Sequence, residues 1–150
     1  PHLLIVYASQ SGGTVQLVDA VERGALRETG TVVRRLHGTA AGLEDLLWCD
    51  ALVVATPENF GYMAGAVKDF FDRTFYPAEG KTVGLPYALF VSAGNDGSGA
   101  VAQIGRIAAG CGWKRVAEPL IGRREVTDAD LAACEDVGEA MASGVALGIF

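Results

Sequence analysis

The chain has 150 residues, of which 50% are hydrophobic, and its formal net charge is −6 at pH 7. This composition is typical of one globular domain with its own apolar core, and the excess of acidic residues argues against a nucleic-acid partner, which requires a basic face. The apolar runs end well short of the roughly 20 residues that a membrane helix needs, and the start of the chain lacks a signal-peptide pattern. We therefore expect a cytoplasmic protein with no membrane span.

Apolar runs of strand length recur along the chain, and most are too continuous to leave one face in water. They lie at Leu3–Ala8, Val32–Leu36, Ala51–Thr56, Tyr87–Ser92 and, less clearly, Arg115–Ile121. We interpret them as five buried parallel strands.

Segments with apolar residues at helical spacing separate the strands. Their apolar stripes run over Val15–Leu26, Val67–Phe75, Val101–Cys111 and Leu131–Val145. Thr127 and Asp130 resemble a capping box at the start of the last helix. The segment TAAGLEDLLWC after the second strand is predicted only as a short element.

Alternating strands and helices predict right-handed crossovers and a parallel sheet covered on both faces. In such sheets, ligands bind beyond the carboxyl ends of the strands, where the strand order reverses. The loops after strands one, three and four are therefore the candidate site.

The first loop, YASQSGGT, combines hydroxyl side chains and glycines at a strand-to-helix junction. Gly12 and Gly13 let the backbone curl around an anion, while Ser9, Ser11 and Thr14 offer hydroxyl donors. The start of the following helix adds backbone N–H groups and the positive end of its dipole. This pattern favours a site for one terminal phosphate. The alternative is an ordinary turn in which Thr14 only caps the helix.

Other phosphate motifs do not fit this loop. A P-loop requires Gly-Lys-Ser/Thr, and a dinucleotide fingerprint requires G-x-G-x-x-G followed by an acidic residue about 20 positions later. A phosphate-accepting receiver domain would need an aspartate at the end of strand three, where Thr56 and Pro57 stand.

The stretch SQSGGT resembles the phosphate loop of the flavodoxin-like family, which reads T/S-x-T/S-G-x-T, and the resemblance extends over essentially the whole chain. It implies an α/β three-layer sandwich, with a five-stranded parallel sheet in the order 2-1-3-4-5, and flavin mononucleotide (FMN) as the cofactor. The residues that would hold the phosphate are Ser9, Gln10, Ser11, Gly12, Gly13 and Thr14.

The stretch from Thr56, TPENFGYMAGAVKDFFDRTF, is similar to the flavin-ring loop and following helix of NAD(P)H-dependent flavin and quinone reductases in this family. The matching positions are Pro57, Gly61, Gly65, Lys68 and Asp72. The resemblance implies that the flavin ring is lined by Pro57, Glu58, Asn59, Phe60, Gly61 and Tyr62. The alternative is that Phe60, Tyr62 and Met63 belong to the core, although their turn-forming neighbours favour a loop.

The third loop, SAGNDGSGA from Ser92, would run along the edge of the flavin ring with Gly94, Asn95, Asp96 and Gly97. Electron-carrier flavodoxins usually place an aromatic residue here, and this chain has none between Phe90 and Trp113. This departure favours an uncovered ring on which a nicotinamide or a quinone can stack. The alternative is a plain connecting loop.

The resemblance implies an oxidoreductase in which NADH or NADPH reduces FMN, and a quinone, free flavin or similar small acceptor takes the electrons. No catalytic side chain is expected, because the flavin carries the chemistry. Two alternatives stay open: an electron carrier that docks a basic redox protein through its acidic surface, and an interaction module without cofactor. Related reductases often build the acceptor pocket between subunits, so a homo-oligomer fits the resemblance.

The cysteines and histidines have no catalytic or metal-binding role in this interpretation. Cys49, Cys111 and Cys134 lie far apart in the sequence, which predicts buried, unreactive thiols and no metal site. His2 and His37 fall outside the three loops.

Overall fold

Apolar runs form the strands, and segments with helical spacing form the helices, in a computed structural model that describes residues 1–150. The strands are β1 (His2–Tyr7), β2 (Val32–His37), β3 (Ala51–Asn59), β4 (Tyr62–Met63), β5 (Pro86–Ala93), β6 (Lys114–Arg115) and β7 (Leu120–Arg123). The helices are α1 (Gly13–Ala25), α2 (Leu43–Trp48), α3 (Gly65–Ala78), α4 (Ser98–Cys111) and α5 (Asp128–Ala146). None of these helices combines the length and the hydropathy that a membrane crossing requires.

The main sheet is parallel and runs in the order β2-β1-β3-β5-β6, with β7 also paired to β5. The predicted order 2-1-3-4-5 is therefore confirmed, since the short β4 pairs only with the end of β3. In this order, β1 and β3 lie side by side although β2 separates them in the sequence. The carboxyl ends of β1, β3 and β5 consequently meet at one edge of the sheet.

Neighbouring residues of each central strand pack on opposite faces of the sheet. In β1, Leu4 and Val6 belong to a core shared with α3 and α4, whereas Leu3 and Ile5 belong to a second core shared with α1 and α5. All four of these side chains are fully buried. This alternation of two buried faces explains why the strand reads as a continuous apolar run.

Helices α1 and α5 approach closely through glycines. A Cβ on Gly24 would lie 1.9 Å from the backbone oxygen of Glu135, and a Cβ on Gly138 would lie 2.1 Å from that of Val21. The predicted capping box at the start of α5 is confirmed, with Thr127 and Asp130 exchanging hydrogen bonds of 3.0 and 3.1 Å. These two helices therefore form a tightly packed layer behind the first loop.

Two predicted strand boundaries need correction. The fifth strand is not continuous over Arg115–Ile121, because it is divided into β6 and β7 around Pro119, which has no N–H to donate to the sheet. The third strand extends past Thr56 to Asn59, because its end folds back onto β4 as a hairpin. This hairpin is the segment in which the flavin-ring loop was expected.

Candidate functional site

The first loop leaves a row of backbone donors without acceptors. The N–H groups of residues Ser9–Val15 make no hydrogen bond within the chain. Gly12 precedes α1 with φ 96°, a left-handed conformation that favours glycine, and no side chain caps the helix. The alternative in which Thr14 acts as the N-cap is therefore wrong. The loop presents free N–H groups and the positive end of a helix dipole, which together suit an anion.

Thr14 has a different partner. Its side chain is 1% exposed, and its Oγ1 lies 2.6 Å from the Oγ of Ser92 at the end of β5. Ser92 is aligned with Pro57 of β3 in the sheet register. This hydrogen bond ties the first loop to the strand that leads into the third loop.

The second loop is a tight hairpin between β3 and β4. Glu58 pairs with Met63 and Asn59 pairs with Tyr62, which leaves Phe60 and Gly61 at the turn with φ 53° and 72°. Two successive positive φ angles are typical of the turn that suits a two-residue hairpin, and phenylalanine is unusual in that conformation.

The aromatic residues of the hairpin differ in burial. Phe60 is fully exposed at the tip, Tyr62 is half-buried, and Met63 is 3% exposed within the core. The core interpretation therefore holds for Met63 and is wrong for Phe60. The positive φ of Phe60 costs conformational free energy, and its exposed ring makes no packing contact in the core that would offset this cost.

The third loop begins after Ala93 and ends at Gly97, which precedes α4 with φ 85°. The N–H groups of Gly94, Asn95 and Asp96 make no hydrogen bond within the chain. The backbone oxygen of Asp96 accepts a hydrogen bond of 3.1 Å from Arg123 Nε. The predicted residues of this loop thus lie at the same edge of the sheet as the first and second loops. Gly94, Asn95 and Asp96 bring free backbone donors, whereas the N–H of Gly97 donates a hydrogen bond of 3.0 Å to Glu58 Oε1.

The sequence analysis did not identify Arg124, which lies near the first loop. Arg124 follows β7, has φ 58°, and lines a shallow cavity of about 400 Å³ together with Ser11, Gly13 and Gln16. Glu125 and Val126 complete this lining. The Arg124 guanidinium forms no ion pair, and Arg124 is the second of two non-glycine residues with positive φ, after Phe60. No local sequence signal identifies such a residue, because its position depends on the pairing of β7 with β5, where the N–H of Arg124 donates a hydrogen bond of 2.7 Å to the oxygen of Ala93.

The cysteines lie outside the site. Cys49 and Cys134 are buried, and burial raises the pKa of each thiol to about 12. Cys111 is half-buried, and burial raises the pKa of its thiol as well. The predicted burial is confirmed for Cys49 and Cys134 and is wrong for Cys111, whose side chain is only half-buried at the end of α4.

A second cavity lies at the opposite end of the sheet. It has a volume of about 180 Å³ and is lined mainly by apolar residues at and just after the ends of α3 and α4, including Ala78, Cys111 and Trp113. It contains no residue of the three loops, so we assign it no part in the site.

The fold and the three loops define a protein of the flavodoxin-like class. The backbone superposes with a TM-score of 0.84 on a flavodoxin from the domain Archaea, over 97% of this chain and 99% of that one, at 23% identity. The sequence is 35% identical over 97 residues to a flavodoxin of Aquifex aeolicus, covering 65% of this chain and 52% of that protein. It is 32% identical over 117 residues to NAD(P)H dehydrogenase (quinone) 3 of Rhizobium meliloti, covering 65% of this chain and 55% of that protein.

The chain belongs to the NADPH-dependent FMN reductase family, which it matches over residues 3–119. The predicted flavodoxin-like fold and the predicted kinship to FMN reductases are both confirmed. The chain spans about half the length of the curated relatives that it matches. The matched region includes all three candidate loops, whereas Arg124 lies beyond it.

Proposed function

We propose that this domain binds FMN at the carboxyl edge of its sheet and carries electrons from NADH or NADPH to a quinone, free flavin or similar acceptor. The observation that carries this proposal is the row of acceptor-free N–H groups from Ser9 to Val15 at an uncapped helix start. A phosphate dianion would satisfy several of these donors at once and interact favourably with the helix dipole. Gly12 supplies the positive φ of 96° that this loop requires, and the space around its Cα is open, since a Cβ there would meet no atom within 4 Å.

The other two loops would hold the ring of the cofactor. The hairpin offers the exposed ring of Phe60 and the backbone of Gly61, and the third loop offers the free N–H groups of Gly94, Asn95 and Asp96. This donor set matches a flat, largely apolar group with polar atoms along one edge. When bound, FMN supplies the redox chemistry, accepting two electrons from a nicotinamide and releasing them to an acceptor.

The residues of this chain would bind and orient FMN and would leave space beside its ring for a second molecule. Ser9, Ser11 and Thr14 stand near the proposed phosphate, and Arg124 adds a cation at the edge of the same loop. No side chain of the third loop is aromatic, which leaves space for a nicotinamide or an acceptor over the ring. Positioning by the protein is the contribution that flavin chemistry requires.

An electron-carrier role is the second candidate, supported by the similarity to the Aquifex aeolicus flavodoxin and by the net charge of −6. A carrier would dock a basic redox protein instead of reacting directly with a nicotinamide. The third loop favours the enzyme, because its small residues leave the ring without an aromatic cover from this side.

The test begins with a visible spectrum of the purified protein and parallel titrations with FMN and riboflavin. We expect FMN to bind much more tightly, because hydrogen bonds to a charged group contribute about 1.5–3 kcal/mol each. Equal affinity for riboflavin would remove the phosphate site, and absence of flavin binding would leave only an interaction module. Anaerobic addition of NADH and NADPH then separates the two candidates. Bleaching of the bound flavin supports the reductase, and no bleaching supports the carrier.

A further inference from the structure

The cavity at the ends of α3 and α4 has a buried apolar wall and an exposed rim, and we call it the α3–α4 pocket. Its wall includes Leu46, Phe71, Ala78 and Trp113, all of which are buried. Its rim includes Gly80 and Val83, which are exposed to solvent. The rim gives a small molecule access from solvent to the apolar wall.

The space between the last turns of α3 and α4 is not filled by side chains. Helices α1 and α5 pack closely along their lengths, whereas α3 and α4 make few contacts with each other. Gly110 lies in the last turn of α4, and a Cβ there would meet its nearest atom, Phe75 Cε2, at an ordinary distance of 3.8 Å. The φ of Gly110 is not positive. Neither the backbone nor close packing therefore requires a glycine here, and its low helix propensity disfavours it.

The polar side chains of the lining have partners within the chain. Trp113 Nε1 donates a hydrogen bond of 2.9 Å to Thr82 Oγ1, and Thr74 Oγ1 donates one of 2.8 Å to the oxygen of Phe70. No buried side-chain nitrogen or oxygen of the protein lacks a hydrogen-bond partner. A molecule in the pocket consequently has no unsatisfied buried group to pair with, and its own surface should be apolar.

Charge disfavours an ionic molecule in the α3–α4 pocket. The carbonyl ends of α3 and α4 both lie at the pocket and carry partial negative charge. Glu79 is the one residue of the lining with a formal charge, and it lies on the exposed rim. These groups would repel an anion, and a cation would lose its hydration against the apolar wall. The pocket therefore suits a neutral molecule.

The size of the pocket and its aromatic lining suit a single ring. Its volume is about 180 Å³, and an apolar protein cavity of about 150 Å³ is large enough to bind benzene. The rings of Phe71 and Trp113 lie 6.0 Å apart at an angle of 47°, and Phe75 lines the same pocket. Tilted aromatic side chains present a face and an edge to a third ring, and these are the preferred contacts between aromatic groups.

We propose that the α3–α4 pocket binds a neutral molecule with one aromatic ring, at a site separate from the proposed FMN site. The two sites lie at opposite ends of the sheet, so both can be occupied at once. The aromatic site does not depend on the proposed function, because no residue of the three loops lines the pocket.

The first experiment measures benzene binding by titration calorimetry in the parent, Gly110→Leu and Gly105→Leu. The leucine side chain at position 110 extends from a Cβ that faces Phe75 and so fills part of the pocket. We expect benzene to bind Gly110→Leu at least tenfold more weakly than the parent.

Gly105→Leu is the matched control for that comparison. Gly105 lies in the same helix but does not line the pocket, and a Cβ there would meet no atom within 4 Å. Gly105→Leu should bind benzene as the parent does. Absence of binding by the parent, or equal binding by all three proteins, would overturn the proposal.

The second experiment uses the half-buried thiol of Cys111, which lines the pocket, as a reporter. Benzene should slow the modification of Cys111 by N-ethylmaleimide at least threefold in the parent at pH 8, and should have no such effect in Gly110→Leu. Benzoate adds a carboxylate to the same ring and should give no protection. No protection by benzene, or equal protection by benzene and benzoate, would contradict a site for neutral rings.

Two further outcomes separate this site from the flavin site and from an interface between subunits. Benzene should bind equally well with and without FMN, and displacement of benzene by FMN would place benzene at the flavin site and overturn the proposal. A protein that binds benzene but no flavin would overturn only the proposed function. Protection of Cys111 that grows with protein concentration in the absence of benzene would show that a second copy covers the pocket, which would also overturn the proposal.

Discussion

The hydroxyl of Thr14, in the first turn of α1, lies 2.6 Å from the hydroxyl of Ser92, which is 78 residues further along the chain. The bond joins the start of the helix behind the first loop to the end of β5, from which the third loop departs. Two of the three candidate loops are therefore coupled through the buried hydroxyl of Thr14 and the half-buried hydroxyl of Ser92. This coupling distinguishes Thr14 from the exposed Ser11 of the same loop.

Substitution of Thr14 and of Ser11 should consequently have different effects. Thr14→Val leaves the Ser92 hydroxyl without its partner, which we expect to cost about 1–3 kcal/mol of the free energy of unfolding and to weaken FMN binding. Ser11→Ala should weaken FMN binding roughly tenfold, since one bond to a charged group is lost, with no change in the melting temperature. Thermal unfolding and flavin titration measure both properties. If Ser11→Ala binds FMN as the parent does, the phosphate lies elsewhere.

Arg124 should contribute charge to the phosphate site. We expect Arg124→Gln to weaken FMN binding two- to fivefold at low salt, with a smaller effect as salt is added, because an exposed ion pair contributes about 0.2–1 kcal/mol and is screened. Riboflavin binding should not change. Arg106→Gln removes the same charge from the exposed face of α4 and serves as the control. An equal loss in both variants would show an effect of net charge alone.

Phe60 should lower the stability of the fold and strengthen FMN binding. An asparagine adopts positive φ more readily than a phenylalanine, so Phe60→Asn should raise the free energy of unfolding by about 0.5–1 kcal/mol. The same change removes the exposed ring and should weaken FMN binding at least threefold. Tyr76→Asn removes another exposed aromatic side chain, in α3, and should leave FMN binding unchanged. Tighter or equal FMN binding by Phe60→Asn would exclude the ring of Phe60 from the site.

The contact between α1 and α5 should depend on the absence of a side chain at Gly24. The Cβ of Gly24→Ala would lie 1.9 Å from the backbone oxygen of Glu135, so the helices must move apart. We expect a loss of about 1–3 kcal/mol in urea unfolding, the usual cost of overpacking a core. Gly105→Ala, which has free space, should instead stabilise α4 by about 0.5–1 kcal/mol. Equal effects of the two changes would mean that helix propensity, and not close packing, decides the result.

The buried thiols should make the fold sensitive to alkaline pH. The pKa values of Cys49 and Cys134 are raised by burial from 9.0 to about 12, so above pH 9 the unfolded chain loses protons that the folded chain keeps. The free energy of unfolding should therefore fall between pH 9 and pH 12, by up to about 1.4 kcal/mol per pH unit for each thiol. Denaturant unfolding across this range measures the slope.

A variant and a labelling experiment check the cause of that slope. Cys134→Ala should show a smaller loss of stability between pH 9 and pH 12 than the parent, because one of the two titrating thiols is absent. In the folded parent at pH 8, a thiol reagent should modify the half-buried Cys111 before Cys49 or Cys134. Rapid labelling of Cys134 in the folded protein would contradict its assigned burial.

Local patterns in the sequence were sufficient for most of the strands and helices and for the positions of the three loops, but not for β4 or for the division of the fifth strand into β6 and β7. Strand β1 can be recognised from the sequence because both of its faces are buried, which gives a continuous apolar run. The start of α5 can be recognised because its capping box joins Thr127 and Asp130, which are three positions apart. Gly12 was predicted where the backbone curls around an anion, and its φ is positive. Such features depend on steric limits and hydrogen bonds within a few residues, so a short stretch of sequence contains the information.

The contacts between these loops depended on the tertiary structure. The bond from Thr14 to Ser92, the capping of α4 by Glu58, the approach of Gly61 to Gly99 and the position of Arg124 beside the first loop each join residues far apart in the sequence. No local preference encodes these pairs, because strand order and helix packing bring them together. The sequence by itself thus determined the strand ends and loops on which the proposed FMN site is built, because local patterns encode them, and the tertiary structure decided which residues of distant segments meet around these loops, because strand order and helix packing bring them together.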